Sequence, residues 1–289
     1  MNLDLIKRLT ILTKPQLYNI LLKFLHQKGY SKIWNHDQYL IAEGNIPICL
    51  LAHMDTVFAN PPDIDEFIYD PEKTILWNPK GSGFDDRAGI YAIIELIQRG
   101  YYPHVIFTDL EESGGIGAKK LIEDMPDCPF KKCKALIQID RANEKDCVFY
   151  TCDNKKFTSY IEEYGFEYNY GTFTDISIIA PAWGIAAVNV SCGYLDEHTY
   201  TERLICKWLD NTIDRLEKIL ANKKMPYFKY KRAERYRFNN TYNLSKCICC
   251  DKDINSYKEG HFISDGMGGF MALCHECYNL FHEGEGNPI

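Results

Sequence analysis

The chain has 289 residues, 46% of them hydrophobic and 25% charged, with 40 acidic against 33 basic side chains and a formal charge of -7. That length can bury one sizeable core with room for a small annex, and the acidic balance argues against a protein whose main surface binds nucleic acid. The opening MNLDLIKRLTILTKPQL has no uninterrupted apolar core or small-residue cleavage site, and no apolar run reaches the ~20 residues that cross a bilayer, so a soluble, cytoplasmic protein is expected. In such a chain the twelve cysteines read as thiols and metal ligands rather than disulfides.

Residues 3–29 carry helical periodicity, with Leu17, Ile20, Leu21, Phe24 and Leu25 on one face and Gly29 as a stop. Residues 30–52 read as two or three strands, the last being the apolar run Ile46 to Ala52, which delivers His53 and, two residues on, Asp55. From Val57 to Gly83 the chain is rich in Pro, Asp and Asn and predicts a connecting loop with a short hairpin. GSGFDDRAG then turns sharply into a helix from Arg87 to Gln98, leaving Asp85 or Asp86 at a loop-to-helix junction. An α/β alternation follows: strand His104 to Thr108, helix Gly115 to Asp124, strand Ala135 to Ile139. A strand near Val148 to Cys152, helix Asn154 to Gly165, the turn YGTFTDIS, strand Ala186 to Ser191 and a helix from about Thr201 to Ala221 complete the domain. Alternating strands and helices predict an α/β fold, a three-layer α/β/α sandwich on a mostly parallel mixed sheet, with ligands gathered at the carboxyl ends of its strands.

Acidic or histidine residues follow one apolar run after another: HMD at 53–55, DD at 85–86, EE at 111–112, Asp140 after IQI, and DEHT at 196–199. Two divalent ions held side by side need a bridging carboxylate, terminal His and carboxylate ligands and a bridging water, and a further carboxylate must move the water's proton. The adjacent pair Glu111 and Glu112 supplies both functions if one ligates and the other does not. Asp55 is spaced to hold the ring nitrogen of His53 that faces away from a metal.

With HMD, GFDDRAG, EES, IDR and EHT in this order, residues 47–204 resemble the co-catalytic di-zinc exopeptidases, a group of aminopeptidases, tripeptidases and carboxypeptidases. The resemblance implies that Asp85 bridges two zinc ions, with a cis peptide after it, and that His53 and Asp140 complete one shell and Glu112 and His198 the other. It further implies Glu111 as general base and Asp55 as the residue orienting His53. Co2+ or Mn2+ are alternatives to zinc. The implied activity is hydrolysis of an amide bond in a short peptide by a metal-bridged hydroxide, most simply by an aminopeptidase. Two alternatives are a deacylase of small acylated molecules and a non-catalytic binding protein. The spacings from His53 to Asp85 and from Asp140 to His198 leave no room for the lid or dimerisation insertions of other branches. Asp175 and Arg141 are candidates for holding a substrate's charged end.

Residues 223–243 interleave basic and aromatic side chains and read as a linker after a catalytic domain of residues 1–222. In residues 244–289, Cys247-x-x-Cys250 and Cys274-x-x-Cys277 have four-cysteine zinc spacing, predicting one structural zinc in a zinc ribbon or treble clef, with Cys249 a spare thiol. Nucleic acid enters as a partner only through this module. The remaining seven cysteines lie among apolar residues and read as buried thiols.

Overall fold

The computed structural model describes residues 1–233, 246–247, 250, 252–254, 260–264 and 270–277. The chain divides into two compact units, Met1–Ala233 and Glu234–Ile289.

The first unit opens with two helices, α1 (Leu3–Thr10) and α2 (Lys14–Gln27), where the periodicity predicts one. The break has a local cause: the N–H of Thr13 donates to Gln16 Oε1 at 2.9 Å, and Pro15 sits in the first turn, where its missing N–H costs nothing. Strands β1 (Lys32–His36), β2 (Tyr39–Glu43) and β3 (Ile46–His53) follow, then a hairpin of β4 (Ile68–Asp70) and β5 (Ile75–Trp77). Helix α3 (Phe84–Gln98) leads to β6 (Pro103–Thr108), α4 (Ile116–Asp124), β7 (Leu136–Arg141), β8 (Asp146–Val148), α5 (Lys155–Glu162) and β9 (Glu167–Tyr168). The unit continues with α6 (Ile176–Trp183), β10 (Ala187–Ser191), β11 (Tyr194–Leu195), β12 (Arg203–Ile205) and α7 (Cys206–Ala221).

Eight strands form one mixed sheet in the order β1-β2-β6-β3-β7-β10-β8-β9, and its centre, β6-β3-β7-β10, is parallel. The carboxyl ends of these four strands therefore share one edge. Alternation along β3 builds the layers: Ile48, Leu50 and Ala52 face a core shared with α1, α2, α3 and α7, while Cys49 and Leu51 face a second core with α4 and α6. Each fully buried Leu or Ile in these layers contributes about 1.5–3 kcal/mol.

Two elements depart from the sequence reading. Helix α6 follows the turn predicted at YGTFTDIS, where no helix is expected; its residues Ile176, Ile179, Ala180 and Trp183 are buried. Helix α7 begins at Cys206 rather than near Thr201, because Arg203–Ile205 pair antiparallel with Ile75–Trp77 in a small second sheet, β11-β12-β5-β4. Residues 223–233 belong to the first unit, with Met225 and Phe228 buried and Phe228 against Phe157 and Tyr160 at ring distances of 4.9 and 5.2 Å.

In the second unit, β13 (Gly260–Ser264) and β14 (Phe270–Cys274) form an antiparallel hairpin, and Cys247, Ile254, Leu273 and Cys274 make a small buried cluster. Cys249 and residues 234–245 of the basic stretch lie outside the described residues. Of the seven scattered cysteines, Cys49, Cys133, Cys147, Cys152, Cys192 and Cys206 are buried thiols and Cys128 is half-buried. No described helix is long and apolar enough to cross a membrane.

Candidate metal centre

At the shared edge of the sheet, β3 ends in His53, which is 1% exposed. Its Nε2 lies 2.9 Å from Asp85 Oδ1 and 3.4 Å from Asp140 Oδ1. Its Nδ1 faces the other way, 3.3 Å from Asp55 Oδ1 and 3.2 Å from the Asp55 carbonyl oxygen. Asp55 in turn accepts the backbone N–H groups of Glu111 and Glu112, each at 3.1 Å, so one carboxylate ties the end of β3 to the loop after β6.

Asp85 sits at the start of α3, and the Asp85–Asp86 peptide is cis. While Asp85 Oδ1 meets His53, Asp85 Oδ2 lies 3.2 Å from His198 Nε2. That nitrogen is also 2.9 Å from Glu112 Oε1. Asp86 turns inward: it accepts the N–H of Gly89 at 2.9 Å, capping the helix, and the N–H of His53 at 3.1 Å, fastening the helix to β3. Asp140, at the end of β7, accepts from Gln138 Nε2 and Thr174 Oγ1 at 2.9 Å each and from the Tyr194 hydroxyl at 3.3 Å. Donor atoms of His53, Asp85 and Glu112 all lie within 4.8 Å of one another, and so do those of His53, Asp86 and Asp140.

Glu111 is brought to the same place, yet among the described residues its carboxylate takes no hydrogen bond or ion pair. Asp175 is also close but only 1% exposed; Thr108 Oγ1 donates to its Oδ2, and its Oδ1 has no hydrogen-bond partner. Arg141 points its guanidinium at the Tyr170 carbonyl oxygen, 3.2 Å away, with Asp146 at 3.9 Å.

The electrostatics follow from crowding acids in a partly dry site. Burial, then the charge of Asp140, pushes Glu111 up to about 8; burial, then Asp85, pushes Glu112 up to about 7 and Asp140 up to about 6. Asp175 is pushed up to about 7 by burial. Two acids go the other way: burial would raise Asp85, but His198 and His53 on its two oxygens hold it well below the usual carboxylate range, and burial would raise Asp55, but His53 and the N–H groups of Glu111 and Glu112 hold it low. His198 rises to about 9, chiefly through Asp85. Carboxylates outnumber the two imidazoles they touch, and mixed imidazole and carboxylate donors suit Zn2+, Co2+ or Mn2+.

Several residues that shape the site escape sequence reasoning. Glu202 is fully buried and accepts the N–H groups of Phe84 and Asp85; Gln138 and Asn189 brace Asp140 and its neighbours. Gly89 is compulsory, since a Cβ there would overlap the carbonyl oxygen of Ile139 and the carboxylate of Asp86. Only Glu202 had a sequence signal, an acid close behind a candidate histidine ligand.

No protein-family model and no curated protein sequence matches the chain. Solved structures do. Aminopeptidase PepT from Bacillus cereus superposes with a TM-score of 0.58 at 15% identity, covering 75% of this chain and 96% of that one. A tripeptidase from Staphylococcus aureus gives 0.59 at 16% identity over 75% and 96%. The TET1 peptidase of Pyrococcus horikoshii, which assembles into a tetrahedron or a large octahedral shell, gives 0.53 at 18% identity over 74% and 97%. The chain carries the fold of these peptidases. Its α/β/α sandwich is thus shared with enzymes that cut peptides, and its clustered acids and histidines gather around the end of β3.

In the second unit the ligand atoms of Cys247, Cys250, Cys274 and Cys277 all lie within 4.8 Å of one another, with the sulfurs of Cys250 and Cys274 3.7 Å apart. Four thiolates at such spacing suit one tetrahedral ion.

Proposed function

We propose that this chain is a metal-dependent peptidase, an exopeptidase of the aminopeptidase type acting on short peptides. The observation that carries the reading is the Asp85 carboxylate, which presents one oxygen to each of two histidines, His53 at 2.9 Å and His198 at 3.2 Å, as a bridging ligand must. His53, Asp140 and Asp85 would hold one ion; Asp85, Glu112 and His198 would hold the other. Bound there, two divalent ions would supply an acidified water and a polarised amide carbonyl.

The chain's own residues supply the rest. Asp55 accepts from His53 Nδ1–H and so keeps Nε2 a lone-pair donor facing the cluster. Its two bonds to the backbone of Glu111 and Glu112 set where each glutamate stands. Glu112 is engaged with His198, whereas Glu111 is free to take a proton from the attacking water and deliver it to the leaving amine. The fold shared with PepT and the tripeptidase supports peptides as substrates. The four cysteines of the second unit would hold one zinc that stands in for a core the short segment cannot build.

The test is metal content and hydrolysis of free-amine, amino-blocked and acylated short peptides by wild type and Glu111→Gln. The expected result is three ions per chain in both proteins, cleavage of free-amine peptides only, and turnover lower by about 10²–10⁴-fold in the variant. One ion per chain with no turnover would refute the reading; cleavage of acylated substrates alone would replace the aminopeptidase with a deacylase.

A further inference from the structure

Glu202 lies four residues after His198 and immediately before β12, and it is 0% exposed. A carboxylate so deeply buried needs a reason, and its partners provide one. Glu202 Oε2 accepts the N–H of Phe84 at 3.2 Å, and Oε1 accepts the N–H of Asp85 at 3.0 Å. The two oxygens thus grip consecutive peptide groups, the second belonging to the residue that touches both histidines. The grip is doubled by the main chain: Ser82 Oγ donates to the Glu202 carbonyl oxygen at 2.9 Å and accepts the N–H of Asn78 at 3.0 Å.

The other end of this short segment is much less constrained. His198 is half-exposed, and Tyr200 in the loop between β11 and β12 is 68% exposed, with its ring 5.9 Å from that of Phe58. Both Asp196 (φ 55°) and His198 (φ 65°) occupy the left-handed backbone region, which L-residues adopt at a cost of about 1–2 kcal/mol each. Such a conformation persists only where its surroundings hold it. The holds are the Thr199 hydroxyl on the Asp196 carbonyl oxygen at 2.7 Å, the Arg203–Asp196 ion pair, and the anchor at Glu202, whose N–H donates to the Thr199 carbonyl oxygen at 3.2 Å. The antiparallel pairing of Arg203 with Trp77 sets Glu202 opposite the loop that runs into Asp85.

We propose that Glu202 is a positioning residue that fixes His198 relative to Asp85, and so controls the affinity of the ion held by Asp85, Glu112 and His198. This rests on the two-ion reading above. The ion between His53 and Asp140 depends less on it, because those ligands stand on β3 and β7 and are braced by Asp55, Gln138 and Thr174.

The test compares wild type, Glu202→Gln, Glu202→Asp and a stability control, Tyr30→Phe, which removes a buried hydroxyl that donates to the Pro103 carbonyl oxygen at 2.8 Å at the start of β6, the strand end opposite the ligands. Zn2+ stoichiometry and affinity are measured by calorimetry, and the Co2+-substituted proteins by visible absorption, with folding checked by circular dichroism. Gln keeps the size but sets an NH2 against one of the two N–H groups; Asp keeps the charge but withdraws it by one methylene, so a folded variant is available even if one fails. The expected result is that one of three ions binds on the order of 10–100-fold more weakly in both Glu202 variants, while Tyr30→Phe melts earlier with all three ions at wild-type affinity. Three ions at wild-type affinity in a folded Glu202 variant overturn the proposal and leave the two-ion reading standing. A wild type that binds only one ion overturns both.

Discussion

Replacing Asp55 by Asn tests whether the site is organised from behind its ligands. The substitution keeps shape and removes one acceptor. In the native protein the carboxylate takes the N–H of Glu111 and of Glu112, each at 3.1 Å, and lies 3.3 Å from His53 Nδ1. An amide has one oxygen, so whichever way it turns its NH2 meets a backbone N–H and leaves a buried donor unsatisfied, at about 1–3 kcal/mol. The charge that favours the Nδ1–H tautomer of His53 is lost as well, and removal of such a supporting carboxylate typically lowers metal affinity or activity about 10–100-fold. We therefore expect Asp55→Asn to fold, to melt earlier, to need about 10–100-fold more free Zn2+ for occupancy, and to lose activity that excess Zn2+ restores only in part, because Glu111 is displaced too. Zinc titration followed by calorimetry and peptide turnover reads each quantity. Wild-type zinc affinity and turnover in the variant would refute the argument that Asp55 sets the orientation of His53 and of the glutamate pair.

Two other changes probe the support around the site. Gly89→Ala forces a methyl against the Ile139 carbonyl oxygen and the Asp86 carboxylate, so α3 must move off the sheet; the expected outcome is a loss of several kcal/mol, read by denaturant unfolding, together with loss of bound metal. His104 tests pH dependence away from the metals. It is 2% exposed, stacked on Phe130 at 4.6 Å, and its Nδ1 accepts the N–H of Gly44 at 3.1 Å, so burial lowers it to about 4. The unfolded chain then binds the proton more tightly between about pH 6.5 and 4, and stability falls as pH drops through that window, by about 2 kcal/mol at pH 5 from this group. His104→Gln should unfold with that much less difference between pH 7.5 and pH 5; an unchanged difference would show that His104 is not held neutral.

How much of this was legible beforehand depended on whether the signal was local. Helix α3 and strands β3, β6, β7 and β10 stood out because a buried strand or an amphipathic helix writes its period into consecutive residues. The split between α1 and α2 was also written locally, in Thr13, Pro15 and Gln16, but the longer apolar periodicity masks it. Strand β12 has three residues, too few for any period, and exists because it pairs with β5 across more than a hundred residues. Helix α6 is apolar on nearly every side and contains Pro181, so it offers neither an amphipathic stripe nor a clean boundary.

By itself the sequence determined the chemistry on offer: that His53, Asp55, Asp85, the pair Glu111 and Glu112, Asp140 and His198 are candidate ligands and proton carriers, and that four cysteines near the carboxyl terminus share the spacing of a metal knuckle. Residue type and local order fix these, because a ligand's chemistry belongs to its side chain. Only the tertiary structure decided that Asp85 offers one oxygen to each histidine, that Asp86 turns away to cap its helix, that Arg141 donates to the Tyr170 carbonyl oxygen, and that Glu202 holds the Asp85 peptide. Those facts depend on distances between segments far apart in the chain, set by sheet register and core packing, and no window of neighbouring residues contains them.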